Sequence, residues 1–109
     1  MKFKMNNREW YIEEVEQQEI RQLIKEYDGV VEDYGKYFGS TQSAIQKIFI
    51  DKDLALEQKR QTLMHELLHC YIICYLFSIK DYNEEDLCNI SANSHDIIHE
   101  IVEDYFKEK

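Results

Sequence analysis

The chain is predicted to adopt an α+β fold, and three observations predict it. Short extended segments occupy the N-terminus and residues 37–50, whereas the chain after Asp51 is helical in pattern with one loop. There is no proline, and the three glycines, Gly29, Gly35 and Gly39, fall in one stretch where irregular backbone should concentrate. With 109 residues and 44% hydrophobic content the chain can build one core and no more, so one domain over residues 1–109 is expected.

Each element has its own signal. Lys2-Phe3-Lys4-Met5 and Glu9-Trp10-Tyr11-Ile12-Glu13 read as extended segments joined by a turn at Asn6-Asn7. Glu16 to Tyr27 reads as a short helix with Ile20, Leu23, Ile24 and Tyr27 on one face. Residues 37–50 read as a hairpin with its turn near Thr41-Gln42-Ser43, and the second limb is rich in β-branched and aromatic residues. Asp53 is the expected N-cap of a helix from Leu54 to about Phe77. The second half of that helix is apolar nearly all round, which places it at the centre of the domain. After a loop from Ser78 to Asn83, a last helix capped by Asn83 or Asp81 runs to about Phe106.

Composition removes several function classes. Twenty-two Asp and Glu against 13 Lys and Arg give a formal net charge of −9, which repels phosphate backbones and argues against a nucleic-acid partner. The longest apolar run, Cys70 to Phe77, is eight residues, far short of the roughly 20 that span a bilayer. The first residues carry no signal-peptide apolar core, and three cysteines do not suggest a disulfide framework. A reduced, cytoplasmic protein with no membrane partner is expected.

The chemistry lies on the apolar helix, in His65-Glu66-Leu67-Leu68-His69. Histidines at i and i+4 are about 40° apart in azimuth and roughly 6 Å apart along the axis. Both imidazoles can therefore reach one tetrahedral Zn²⁺. Glu66 points close to the same side without aiming at the metal, so it can take a proton from a zinc-bound water as general base. Burying two histidines and a carboxylate in the most apolar helix of the chain is costly without a partner, which favours the metal over simple core packing.

A third ligand must come from another element. The last helix opens with Glu84-Glu85-Asp86, and Glu85 is the favoured candidate because small or apolar residues at Cys88 and Ala92 share its face. Asn89 would then support a ligand histidine by hydrogen bonding. Glu84 competes, although a carboxylate there also suits the helix dipole. His95 and His99 form a second i, i+4 pair and leave His95 open as a ligand, although the acidic residues around them read as solvated surface. Cys70 and Cys74 are read as small core residues.

Residues 61–69, the stretch Tyr82 to Cys88 and the closing Ile101-Val102-Glu103-Asp104-Tyr105-Phe106 together resemble the small zincin-like metallopeptidases of phages and mobile elements, akin to the ImmA/IrrE type and to minimal gluzincins. The resemblance covers most of residues 37–107. It implies a single zincin-like domain, a small twisted sheet packed on a central His-Glu-x-x-His helix with a second, C-terminal helix. It also implies zinc held by His65, His69 and Glu85, with Glu66 as the general base. Where the ImmA-like pattern has Glu-x-x-Ala-Asn, this chain has Glu85-Asp86-Leu87-Cys88-Asn89, with small Cys88 in the place of alanine. The implied activity is zinc-dependent peptide hydrolysis of narrow range on a peptide or protein substrate such as a phage-type repressor, with a hairpin strand pairing the substrate. The alternative is a catalytically weak or inactive zinc-binding module descended from such a peptidase.

Overall fold

The computed structural model describes residues 1–29, 37–76 and 81–108. Four strands and three helices follow one another as β1 (Lys2–Met5), β2 (Arg8–Val15), α1 (Gln17–Asp28), β3 (Gly39–Gln42), β4 (Lys47–Asp51), α2 (Leu56–Tyr75) and α3 (Glu84–Lys107). The α+β class holds, and the Cα radius of gyration of 14.0 Å is close to the about 13 Å expected of one compact domain of this length. No helix among the described residues is long and apolar enough to cross a membrane.

The sheet is mixed, in the order β1-β2-β4-β3. β1 and β2 are antiparallel, β2 and β4 parallel, and β3 and β4 antiparallel. The β1–β2 turn is made by Asn6 (φ 49°) and Asn7 (φ 64°), consecutive left-handed residues of the kind that match hairpin twist. Because side chains alternate, Trp10, Ile12, Ile48 and Ile50 face one side and pack with Leu63, Leu67 and Cys70 of α2 and Ile98 and Val102 of α3. Val15 and Phe49 face the other side and close over Ile20 and Ile24 of α1. The sheet is thus the middle layer, with α1 on one face and α2 with α3 on the other.

Two helix starts illustrate what sequence signals can resolve. Asn83 caps α3 through a reciprocal box: its Oδ1 accepts from the Asp86 amide at 2.8 Å, and the Asp86 carboxylate accepts from the Asn83 amide at 3.3 Å. α2 differs from expectation. Its N-cap is Ala55, with no side-chain cap, and the helix begins at Leu56. Asp53 instead belongs to the turn leaving β4, where its amide donates to Asp51 Oδ1 at 2.9 Å. Nor is α2 buried on every side. Met64 (43% exposed), Leu68 (36%) and Tyr75 (42%) leave an open apolar flank, because the sheet covers only one face of the helix. The proposed end near Phe77 and much of the 78–83 loop lie outside the described residues, as does Gly35.

A buried ion pair ties three elements together. Glu14 of β2 receives Lys59 Nζ of α2 at 2.7 Å, and the Tyr105 hydroxyl of α3 also donates to it. Both charged side chains are largely covered, so their mutual contact compensates for lost hydration.

Candidate functional site

α2 runs under β3, which with β1 forms the two edges of the sheet among the described residues. Gly39 and Thr41 alternate toward α2, whereas Ser40 and Gln42 turn toward α1. The approach at Gly39 is close: a Cβ there would stand 2.8 Å from Thr62 Cγ2, 2.8 Å from the Phe49 carbonyl oxygen and 3.2 Å from Glu66 Cγ. No side chain fits that gap, and the missing one lets β3 settle onto the helix directly above Glu66.

The motif divides by exposure. Glu66 is 6% exposed, whereas His65 and His69 lie at the surface. The cost of burial therefore falls on the carboxylate alone, contrary to the expectation that the histidines would be buried with it. Thr41 Oγ1 donates to Glu66 Oε1 at 2.7 Å, and the same hydroxyl lies 3.2 Å from the Glu66 carbonyl oxygen. The two imidazoles stand edge to face with centroids 4.9 Å apart.

His65, Glu66 and His69 share a cavity of about 360 Å³ that wraps β3 and is also lined by Thr41, Ser40 and Asp28. Asp28, the last residue of α1, brings a second carboxylate to this space and accepts from Gln42 Nε2 at 3.3 Å. Gln42 Nε2 also donates to Ser40 Oγ at 2.7 Å within β3, so the amide group that joins the strand to α1 is itself held in place. α1 stops there because Gly29, at φ 81°, supplies the left-handed residue that ends the helix and donates its amide to the Ile24 carbonyl.

The donor set fits zinc in part. His65 and His69 stand side by side on one cavity wall, as two ligands of one ion must. Among the described residues, no group of three or more His, Cys, Asp or Glu side chains gathers closely enough to hold a metal. Glu85 and Glu84 lie in the first turn of α3 and are exposed. The expectation that the face carrying Cys88 and Ala92 looks inward is not met, since both are exposed, and Asn89, expected to support a ligand histidine, is exposed as well. The inward face of α3 is the neighbouring row Ile90, Ser94, Ile98 and Val102, which the sequence carries equally plainly.

The remaining candidates separate cleanly. Cys70 and Cys74 are buried free thiols, and burial, reinforced by neighbouring Cys74, pushes the Cys70 thiol well above its ordinary range. A thiol kept protonated in this way is a core residue and a poor metal ligand. His95 and His99 stack at 5.5 Å on the exposed side of α3. They line a separate cavity of about 270 Å³ between α2 and α3, and His65 forms part of its wall too.

Thr41 and Asp28 have no counterpart among the expected site residues. The hairpin turn expected at 41–43 hid Thr41, because β3 continues through Gln42 and the turn falls at 43–46. Asp28 carries no local signal, being an ordinary acidic residue at a helix end. No protein-family model, curated protein or solved structure matches the chain.

Proposed function

We propose that this chain is a zincin-type zinc metallopeptidase of narrow substrate range, with His65 and His69 as zinc ligands, Glu85 as the third ligand and Glu66 as the general base. The observation that carries the reading is the placing of Glu66: a buried carboxylate, held by Thr41 of an edge strand, in one cavity with both histidines. A bound zinc ion supplies Lewis acidity, polarising a scissile carbonyl and lowering the pKa of water. Thr41 occupies Glu66 Oε1, which orients the carboxyl group and leaves Oε2 to accept a proton from water and return it to the leaving amine. Among the described residues β3 has a sheet neighbour on one side only, and an extended peptide or protein segment pairs with its other edge. The substrate class is a specific peptide or protein, of which a phage-type repressor is the candidate that the family resemblance supplies, and the site of action is the cytoplasm.

Glu66→Gln tests the proposal. The variant should keep the zinc content of the parent and lose peptide hydrolysis by at least about 10²-fold. Rapid turnover of casein by the parent would contradict the narrow range, and equal activity in both proteins would contradict the role of Glu66. The second reading is a zinc-binding module without turnover. It is favoured by the finding that, among the described residues, no group of three or more His, Cys, Asp or Glu side chains gathers closely enough to hold a metal. In that case Glu66→Gln leaves partner binding unchanged and no peptide is cut by either protein.

A further inference from the structure

We propose that the cavity holding Glu66 recognises a cationic nitrogen of its substrate, a peptide α-ammonium or a basic side chain, through the carboxylate of Asp28. The inference rests on the peptidase reading and adds to it the charge class of the group bound.

Asp28 lines the same cavity of about 360 Å³ as His65, Glu66 and His69, so a group held by Asp28 occupies the space that the reacting groups share. That volume falls within the roughly 300–1,000 Å³ of small-ligand pockets. The charge of the lining is one-sided. Among the described residues it includes the carboxylates of Asp28 and Glu66 and no Lys or Arg. A zinc ion brings two positive charges, which Glu66 and Glu85 of the proposed site match, and the Asp28 charge is left over.

The position of Asp28 adds to this surplus. It is the last residue of α1, where the helix carbonyls already carry partial negative charge, so a carboxylate there is unfavourable and a cation is favoured. Among the described residues no Lys or Arg forms an ion pair with it, Lys25 of the same turn included. Arg21, one turn further back, stands over the Tyr37 ring at 5.5 Å. What Asp28 does have is a neutral brace. Gln42 Nε2 donates to Asp28 Oδ2 at 3.3 Å and to Ser40 Oγ at 2.7 Å, which fixes the carboxylate against β3 without cancelling its charge. No hydrogen bond among the described residues engages Oδ1, and a carboxylate has acceptor capacity for an ammonium or guanidinium as well as for the amide. The net charge of −9 steers cations toward the molecule in general, and Asp28 gives that attraction a place in the cavity.

The test is binding to the purified chain, followed by NMR of the Ser40 and Thr41 amides during titration with three small amides. Alanine amide carries a free α-ammonium, N-acetyl-lysine amide a basic side chain, and N-acetyl-alanine amide no charge. At least one cationic amide should bind about threefold or more tightly than the neutral one, the size expected of an ion pair open to solvent. The one that does so identifies the source of the nitrogen. The advantage should shrink when salt is raised from 50 to about 500 mM and vanish in Asp28→Asn. Asparagine keeps an acceptor for Gln42, so the brace to β3 survives, and circular dichroism checks the fold. Equal binding of all three amides, including none, or an advantage retained in Asp28→Asn, would overturn the role of Asp28. In the zinc-loaded parent the kcat/KM ratio of cationic over neutral peptides should fall about threefold or more in the same variant, and an unchanged ratio would overturn it too. Absence of any cleavage would refute the peptidase reading, and the binding result then decides on Asp28 by itself.

Discussion

Thr41 of the edge strand donates its hydroxyl hydrogen to Glu66 Oε1 at 2.7 Å, and so couples the strand expected to receive substrate to the carboxylate expected to do the chemistry. Glu66 is nearly covered, which makes a donor from the protein necessary where water has poor access. The hydroxyl also sets which carboxylate oxygen is engaged.

Replacing Thr41 with valine keeps the shape and removes that donor. A hydrogen bond to a charged group contributes about 1.5–3 kcal/mol, so peptide hydrolysis should fall about 10- to 100-fold if the carboxylate must be oriented to work. Zinc content, read by elemental analysis of the purified variant, should stay at the parent level. Undiminished hydrolysis would show that Glu66 is held by other means.

Gly39 and Gly29 should respond differently to substitution. Gly39→Ala introduces a Cβ only 2.8 Å from both a main-chain oxygen and Thr62 Cγ2, so β3 must lift from α2. Overpacking of this kind costs about 1–3 kcal/mol. For a domain of this size the melting temperature should fall by about 4–8 °C per kcal/mol, and hydrolysis should fall with it because Thr41 moves too. At Gly29 nothing lies within 4 Å of a new Cβ, and the demand is the φ of 81° alone. Gly29→Asn, whose residue type tolerates that conformation, should therefore melt close to the parent in the same thermal scan.

Zinc should stabilise the fold. At a free concentration of about 100 times Kd, a ligand that binds only the native state adds about 2.7 kcal/mol, visible as a rise in melting temperature. His65→Ala and His69→Ala should each abolish most of that rise, whereas Glu66→Gln should keep it. An unchanged melting curve for the parent with added zinc, together with no zinc in material prepared without chelators, would end the metal reading.

Tyr105 predicts an alkaline limit to stability. Burial raises its pKa above the ordinary value of 10.0, so between the unfolded and folded values the native state holds a proton that the unfolded chain has lost. Its contribution is intact below about pH 10 and declines as pH rises through the folded value. Tyr105→Phe removes that dependence and also deletes the donor to Glu14, at a cost of about 1–3 kcal/mol near neutrality. Urea unfolding at pH 8 and at pH 11 should show a smaller loss between the two conditions in the variant than in the parent.

What depends on neighbours in the chain was legible from the residues alone. The turn at Asn6-Asn7, the cap at Asn83, the α1 face of Ile20 and Ile24 and the helical spacing of His65 and His69 all involve partners within a few positions. A helix places i and i+4 together whatever surrounds it, so the paired imidazoles followed from the sequence. The start of α2 differs from the expectation at Asp53 because the Asp51 carboxylate, which also accepts from Gln17 of α1, turns the chain by accepting the Asp53 amide, and the helix begins only at Leu56.

Which face of α2 is covered, which strand is the edge and what holds Glu66 were decided only by tertiary structure. The apolar run of α2 looks the same on every side in sequence, yet the sheet has room for one side, leaving the histidines with Met64 and Leu68 in the open. Among the described residues β3 lies at an edge because β4 takes the place beside β2, a parallel pairing between segments more than 30 residues apart that no local pattern records. Thr41 reaches Glu66, and Asp28 reaches the same cavity, only once that sheet has closed over the helix. The sequence by itself determined the chemical groups and their helical spacing; long-range strand pairing, which alternates side chains between two faces, decided which of them meet.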